Sequence, residues 1–366
     1  MNFSKLNALL NYLCQNDIIP ALQVVLKIDG QTVYTGVFGS IRESHTIVSP
    51  ETQFDIASLT KLFSGILFMQ LIEEGKFKLD DPICVNLPNF SGVRTIEKNG
   101  QVLGQCNIED VTWRQALTHT TGMGWTRPKT RPSLPHLGEG VHEIYKLPFA
   151  YFPGTKVAYS DIPIILMGSA IEKITAVPLD TLLHERLCKP LGLIHTGYHR
   201  LSLHEINQAR TVPTEYDTVF RKRRVWGDVH DENCYLMDGV SAHAGIFSTA
   251  EDVCRLMAHY ADCLKSDGIL KRKTAQEMIS LQAEDSDDRR GLIWQLSSQI
   301  PSSYTYALSN ESYGHSGFTG CFAWNDPTRK LSIVFLSNDI YNGRENRQLF
   351  SWRKAIITAI LDELAP

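Results

Sequence analysis

The stretch Phe54-Asp-Ile-Ala-Ser-Leu-Thr-Lys-Leu-Phe-Ser-Gly-Ile-Leu-Phe-Met-Gln-Leu-Ile-Glu-Glu-Gly75 constrains this chain more than any other. Its pattern predicts a helix of about five turns. Leu59, Phe63, Ile66, Leu67, Met69 and Leu71 make it apolar on nearly every side, so it belongs inside a core. Gly75 stands where such a helix stops, at the left-handed position beyond the C-cap. Ser58 and Lys61 do not suit a helix this apolar, and their spacing puts them on one face. Burial disfavours the charged form of a lysine and lowers its proton affinity. Such an amine can take the proton of a neighbouring hydroxyl, which would make Ser58 a nucleophile. The plainer alternative is a first-turn serine beside a lysine that snorkels to solvent.

A chain of 366 residues exceeds what one hydrophobic core usually serves, so two subdomains are expected. The net charge of −4 gives no electrostatic reason for nucleic acid or an anionic membrane as partner. The one basic run, Arg221 to Arg224, is expected to be a solvated loop. No run approaches the roughly 20 apolar residues of a membrane span. Phe3, Leu6, Leu9, Leu10 and Leu13 recur at helical spacing without a basic leader or a cleavage site, which predicts an amphipathic first helix and a cytoplasmic protein. The eight cysteines form no Cys-x-x-Cys pair and read as free thiols. His195 and His199 lack a third ligand nearby in sequence, so neither a metal nor a cofactor is expected.

In chain order, Leu22–Ile28 and residues 32–38 predict paired strands across an Asp29-Gly30 turn. Thr112 with Gln115, and Ser248 with Glu251, predict capping boxes at two helix starts. Residues 163–174 and 179–187 are further helix candidates, and the polar run 284–290 predicts a loop. Strand character returns at 292–296, 321–324 and 331–336, before a final helix from about Glu345. Strands at both ends with helices between predict an α/β (α+β) chain, an antiparallel sheet flanked by helices. Residues 1–79 with 285–366 would form that sandwich, residues 80–284 a mostly helical subdomain, and the active site the cleft between them.

Two further stretches carry chemistry. Phe152-Pro-Gly-Thr155 leads through a turn to Tyr159-Ser-Asp161, and a buried tyrosine near an ammonium can shuttle a proton. A core tyrosine with a satisfied hydroxyl is the plainer reading. In Tyr313-Gly-His-Ser-Gly-Phe-Thr-Gly320 the glycines would let substrate approach a strand edge and a backbone N–H meet a developing oxyanion.

Together these stretches resemble the serine β-lactamase and penicillin-recognising hydrolase superfamily, most closely its class C branch. Leu117-Thr-His-Thr-Thr-Gly122, Lys189-Pro-Leu-Gly-Leu193 and Ala244-Gly-Ile-Phe-Ser-Thr249 add to the resemblance. It implies Ser58 as acylated nucleophile, Lys61 as base, Tyr159 as proton shuttle, and an oxyanion hole from the N–H groups of Ser58 and Phe318. Asp161, His315, Ser316 and Gly317 would contact substrate. Two departures stand out: Tyr159-Ser-Asp161 in place of Tyr-x-Asn, and His315-Ser-Gly317 in place of Lys-Thr-Gly. A mostly neutral histidine removes a fixed cation for a β-lactam carboxylate, and Asp161 adds negative charge. The His-x-Gly variant is similar to that of the family's esterases and D-aminopeptidases. His230 and Asn233, in the polar stretch Val229–Cys234, are candidate substrate contacts on a loop over the cleft.

The function implied is a serine hydrolase forming an acyl-enzyme on a small-molecule ester or amide. One alternative is a peptidase or amidase for D-amino-acid or cell-wall-derived peptides, or a β-lactamase. Another is a binding protein of the same fold without turnover. The natural substrate and the oligomeric state are not written in the sequence.

Overall fold

Asp29 and Gly30 both hold positive φ, 51° and 77°, the two-residue turn whose twist suits a hairpin. They join β1 (Ala21–Ile28) to β2 (Gln31–Ile41), which pairs on with β3 (Thr46–Ile47). Six more strands come from the far end of the chain in this computed structural model, which describes residues 2–124, 144–203, 208–286 and 288–364. They are β4 (Ala283–Asp285), β5 (Asp288–Arg290), β6 (Gln295–Leu296), β7 (Tyr313–Gly317), β8 (Cys321–Asp326) and β9 (Leu331–Ser337). One sheet orders them β4-β5-β6-β7-β8-β9-β1-β2-β3, antiparallel throughout. The two contributions meet where β1 pairs β9, with Val25 opposite Val334.

Both faces of this sheet are covered, which is why its central strands read as nearly continuous apolar runs. Side chains alternate between faces. Leu22, Val24 and Leu26 join a core with α1 (Ser4–Gln15) and the C-terminal helix, while Ala21 and Val25 join the larger core on the other side. That larger core holds α2 (Thr60–Glu73), α3 (Ile162–Thr175) and α4 (Ala250–Cys263). The last helix, α5 (Leu349–Leu364), buries Leu349, Ile356 and Ile360, with Trp352 and Leu364 packed at the edge.

Several expectations need correction. The predicted helix from Phe54 starts later: Phe54–Asp55 is a short strand paired with Ile246–Ser248, Ala57–Leu59 is a 3-10 turn, and α2 begins at Thr60. Its end is as read, with Gly75 at φ 74° and its N–H bonded to the Ile72 carbonyl. The cap of α4 is Thr249 rather than Ser248, because the Thr249 hydroxyl accepts the Asp252 N–H and Glu251 turns away to Lys27. The run 284–290 is a hairpin that widens the sheet, not a loop. Within 292–296 only Gln295–Leu296 is strand; Ile293, at φ 72°, wedges against α2 where Gly65 leaves room. A Cβ on Gly65 would come within 2.6 Å of the Ile293 side chain. The final helix begins at Leu349, after a 3-10 turn at Arg344–Asn346.

The basic run is not a solvated loop. Arg221 is enclosed, lies 4.5 Å over the Tyr235 ring and donates two bonds to the His230 carbonyl. Arg223 pairs with Asp228 at 2.6 Å and Arg224 with Glu43 at 3.0 Å. No single described helix is long and apolar enough to cross a membrane.

Candidate active site

Ser58 stands in the 3-10 turn ahead of α2, one turn from Lys61. Its Oγ accepts hydrogen bonds from Lys61 Nζ at 2.9 Å and from the Tyr159 hydroxyl at 2.8 Å. Lys61 is fully enclosed, so it does not snorkel. Its ammonium also donates to the His243 carbonyl at 2.9 Å and pairs with Asp161 at 2.7 Å. Burial works against that charge, but Asp161 and Tyr159 outweigh it, and the proton affinity of Lys61 ends above the usual lysine value. The expected lowering is therefore reversed. Periodicity showed that Lys61 is buried; it could not show the carboxylate beside it. Burial likewise raises the Tyr159 hydroxyl, with Lys61 pulling the other way.

Tyr159 is held from behind by a residue to which the sequence reading gave no role. The His119 ring packs against it at a tilt, centroids 4.5 Å apart, and His119 Nδ1 accepts the Ser160 N–H at 3.3 Å. Its one sequence signal was membership of the Leu117–Gly122 stretch. His315 lies on β7, 3% exposed, with its ring 6.0 Å from that of Tyr159. Burial, then the cations Arg290 and Lys61, hold His315 well below the ordinary histidine value, and His119 is lowered in the same way. Both imidazoles are neutral at pH 7.

Gly317 ends β7 against the turn before Ser58, and a Cβ there would meet the Ile56 carbonyl at 2.5 Å. That close approach sets Phe318 beside Ala57 and Ser58 on one cleft of about 590 Å³, which Tyr159, Asp161, His315 and Ser316 also line. His230, Asp231 and Glu232 line it as well, while Asn233 is not among its lining residues. The segment is not a plain loop: Glu232–Tyr235 is a helical turn capped by Asp231, whose carboxylate accepts the Cys234 N–H.

The cleft's electrostatics differ from the sequence expectation in two ways. Asp161 is not a spare negative charge, because Lys61 neutralises it. Nor is fixed positive charge missing, since Arg290, Arg344, Arg347 and Arg353 all line the cleft. Arg344 is matched by Glu215 and Glu232, and Arg290 by Asp288 at 2.6 Å. Arg353 differs. It is 5% exposed, forms no ion pair among the described residues, and its Nε has no hydrogen-bond partner there. Arg347 lies beside it along the rim, 3.9 Å over the Phe318 ring.

Asp161, Asp231 and His243 bring three possible ligand atoms within 4.8 Å of one another, but the Lys61 ammonium already occupies the Asp161 side of that corner. His199 stacks flat on Phe247 at 4.0 Å and is a packing residue.

A model of the beta-lactamase family matches residues 9–355. The chain is 28% identical over 379 residues to an Escherichia coli K12 protein named "Putative D-alanyl-D-alanine carboxypeptidase", covering 92% of this chain and 83% of that one. A Salmonella agona protein of the same name is 30% identical over 331 residues, covering 82% and 72%. Among solved structures, EstCE1, described as a hydrolase with promiscuous acyltransferase activity, superposes with a TM-score of 0.73 at 20% identity, covering 96% of this chain and 98% of its own. Simvastatin synthase from Aspergillus terreus gives 0.74 at 18%, covering 98% and 99%. These two show a shared fold. With the family model spanning nearly its whole length, the chain belongs to the beta-lactamase family and is a serine hydrolase.

Proposed function

We propose that this protein cleaves a small amide or ester through an acyl-enzyme on Ser58, and that its preferred substrate carries a carboxylate. The observation that carries the first part is the meeting of Lys61 and Tyr159 on one Ser58 oxygen, at 2.9 and 2.8 Å. Ser58 Oγ attacks the carbonyl carbon and passes its proton to the Lys61–Tyr159 pair. That pair then protonates the leaving group. The N–H groups of Ser58 and Phe318 receive the oxyanion, and water releases the acyl group by the same route in reverse. Both members of the pair hold their protons more tightly than usual, so the reactive form grows with rising pH.

The carboxylate preference is supported by Arg353. A guanidinium this buried, with no ion-pair partner among the described residues and only the longer-range attraction of Asp339, favours a ligand that brings an anion. A short peptide with a free C-terminus fits that requirement, as do the names of the relatives. A second reading, a hydrolase of small neutral esters, is favoured by Phe318 and Phe350, 40% and 63% exposed on the cleft wall.

A fluorophosphonate that labels the wild type but not Ser58→Ala tests the nucleophile and separates an enzyme from a silent binder. Hydrolysis rates for an N-acyl-D-alanyl-D-alanine peptide, a cephalosporin and p-nitrophenyl acetate then rank the substrate classes. A wild type that takes no label would sink the proposal.

A further inference from the structure

Asp55 lies three residues before Ser58 and is 2% exposed. Its Oδ1 accepts the Ala57 N–H at 2.8 Å, its Oδ2 accepts the His230 N–H at 2.7 Å, and its carbonyl accepts the Thr319 hydroxyl at 2.7 Å. The first bond closes a turn of the Asx type around Ala57, which sits at φ 47°, a left-handed value uncommon for alanine. The next N–H along the chain is that of Ser58. Thr319 follows Phe318, so one residue is tied to the neighbours of both groups assigned to the oxyanion. The His230 peptide is gripped on its other side by Arg221, and its ring stacks on Phe318 at 5.6 Å.

Strand pairing gives no reason for a carboxylate here, because Asp55 pairs with Phe247 through the main chain. Among the described residues it forms no ion pair; burial holds its carboxyl above the usual aspartate value, and the His230 and Ala57 N–H donors, with the attraction of His230, offset only part of that cost. An amide side chain could keep one of these two bonds but would turn its own NH2 toward the other N–H. A buried charge that is costly to keep, and that needs both oxygens, suits a residue that sets geometry.

We infer that Asp55 is a positioning residue. It holds the Ser58 turn, the Phe318 turn and the His230 segment in one register, so that the two oxyanion N–H groups are aimed before substrate arrives. This rests on the reading of Ser58 as nucleophile.

The test is Asp55→Asn, measured by steady-state kinetics, affinity for a boronic-acid transition-state analogue, and end-point fluorophosphonate labelling. The expected result is full labelling, kcat lower by about a hundredfold, KM within about threefold, and analogue affinity falling in step with kcat. A purely structural role would leave analogue affinity unmoved in the folded fraction. Unchanged kcat and analogue affinity, or a loss confined to KM, would overturn the proposal. Should Asp55→Asn not fold, Thr319→Val decides: it removes one of the three ties, and kcat is expected to fall about tenfold at constant KM, whereas unchanged kcat counts against the proposal. A wild type that takes no label sinks the nucleophile reading and this inference together. A labelled wild type with an unimpaired Asp55→Asn sinks this inference alone.

Discussion

The Lys61 ammonium lies 2.7 Å from the Asp161 carboxylate, slightly nearer than the 2.9 Å that separates it from Ser58 Oγ. The ion pair raises the proton affinity of Lys61, so on the proposed mechanism it sets the pH at which Lys61 can act as a base. Asp161→Asn removes the attraction that raises its proton affinity and leaves burial, which lowers it. The acidic limb of the kcat/KM profile should then move to lower pH. A limb that stays in place would show that another group controls the proton.

Lys61 and Tyr159 share one hydrogen-bond acceptor and should handle one proton together. Losses from residues that work as a unit do not add. Lys61→Ala with Tyr159→Phe should be little worse than the poorer single variant, each single loss being about a thousandfold or more in kcat. Additive losses across a double-mutant cycle would mean separate roles.

Arg353 offers the sharpest test of substrate class. Arg353→Gln keeps a polar side chain but loses the charge. On a carboxylate-terminated peptide, kcat/KM should fall about ten- to a hundredfold, while a neutral ester should change by less than about threefold. Equal losses on both substrates would make Arg353 a packing residue of α5, held between Tyr304 and Phe350.

His119 and His315 give a prediction for stability. Each is held below its ordinary value in the folded protein by burial and nearby cations. The unfolded chain therefore binds protons first as the pH drops through about 6.5. Stability is fully present above that pH and declines below it, toward the lower folded values, by up to about 1.4 kcal/mol per pH unit for each group. Thermal melts from pH 7.5 to 5 should show a steep acid decline, and His315→Gln should flatten it. An unchanged slope would place the acid sensitivity elsewhere.

Much of the fold was legible in local pattern. The turn at Asp29-Gly30, the Thr112 capping box and the Gly75 stop are each short-range hydrogen-bond problems with few solutions, and all appear in the structure. The helix starts were less legible. Asp55 and Ala57 form a strand end and a left-handed turn through side-chain and long-range bonds that no periodicity reports. The hairpin at 283–290 was missed for a related reason: strands at a sheet edge are polar and look like loops.

The sequence by itself determined that a buried helix and the turn leading into it carry a lysine and a serine three residues apart, and that a tyrosine and a Gly-rich strand accompany them. Those facts follow from spacing and hydrophobicity, which act between near neighbours in the chain. Only the tertiary structure decided the charges. Asp161 is 100 positions from Lys61, and Arg353 comes from the last helix, nearly 300 positions beyond Ser58. Coulomb interactions depend on distance through space and on local burial. Residues that read separately as an unwelcome acid and a missing cation thus became, once folded, a neutralised pair and a buried arginine without an ion pair among the described residues.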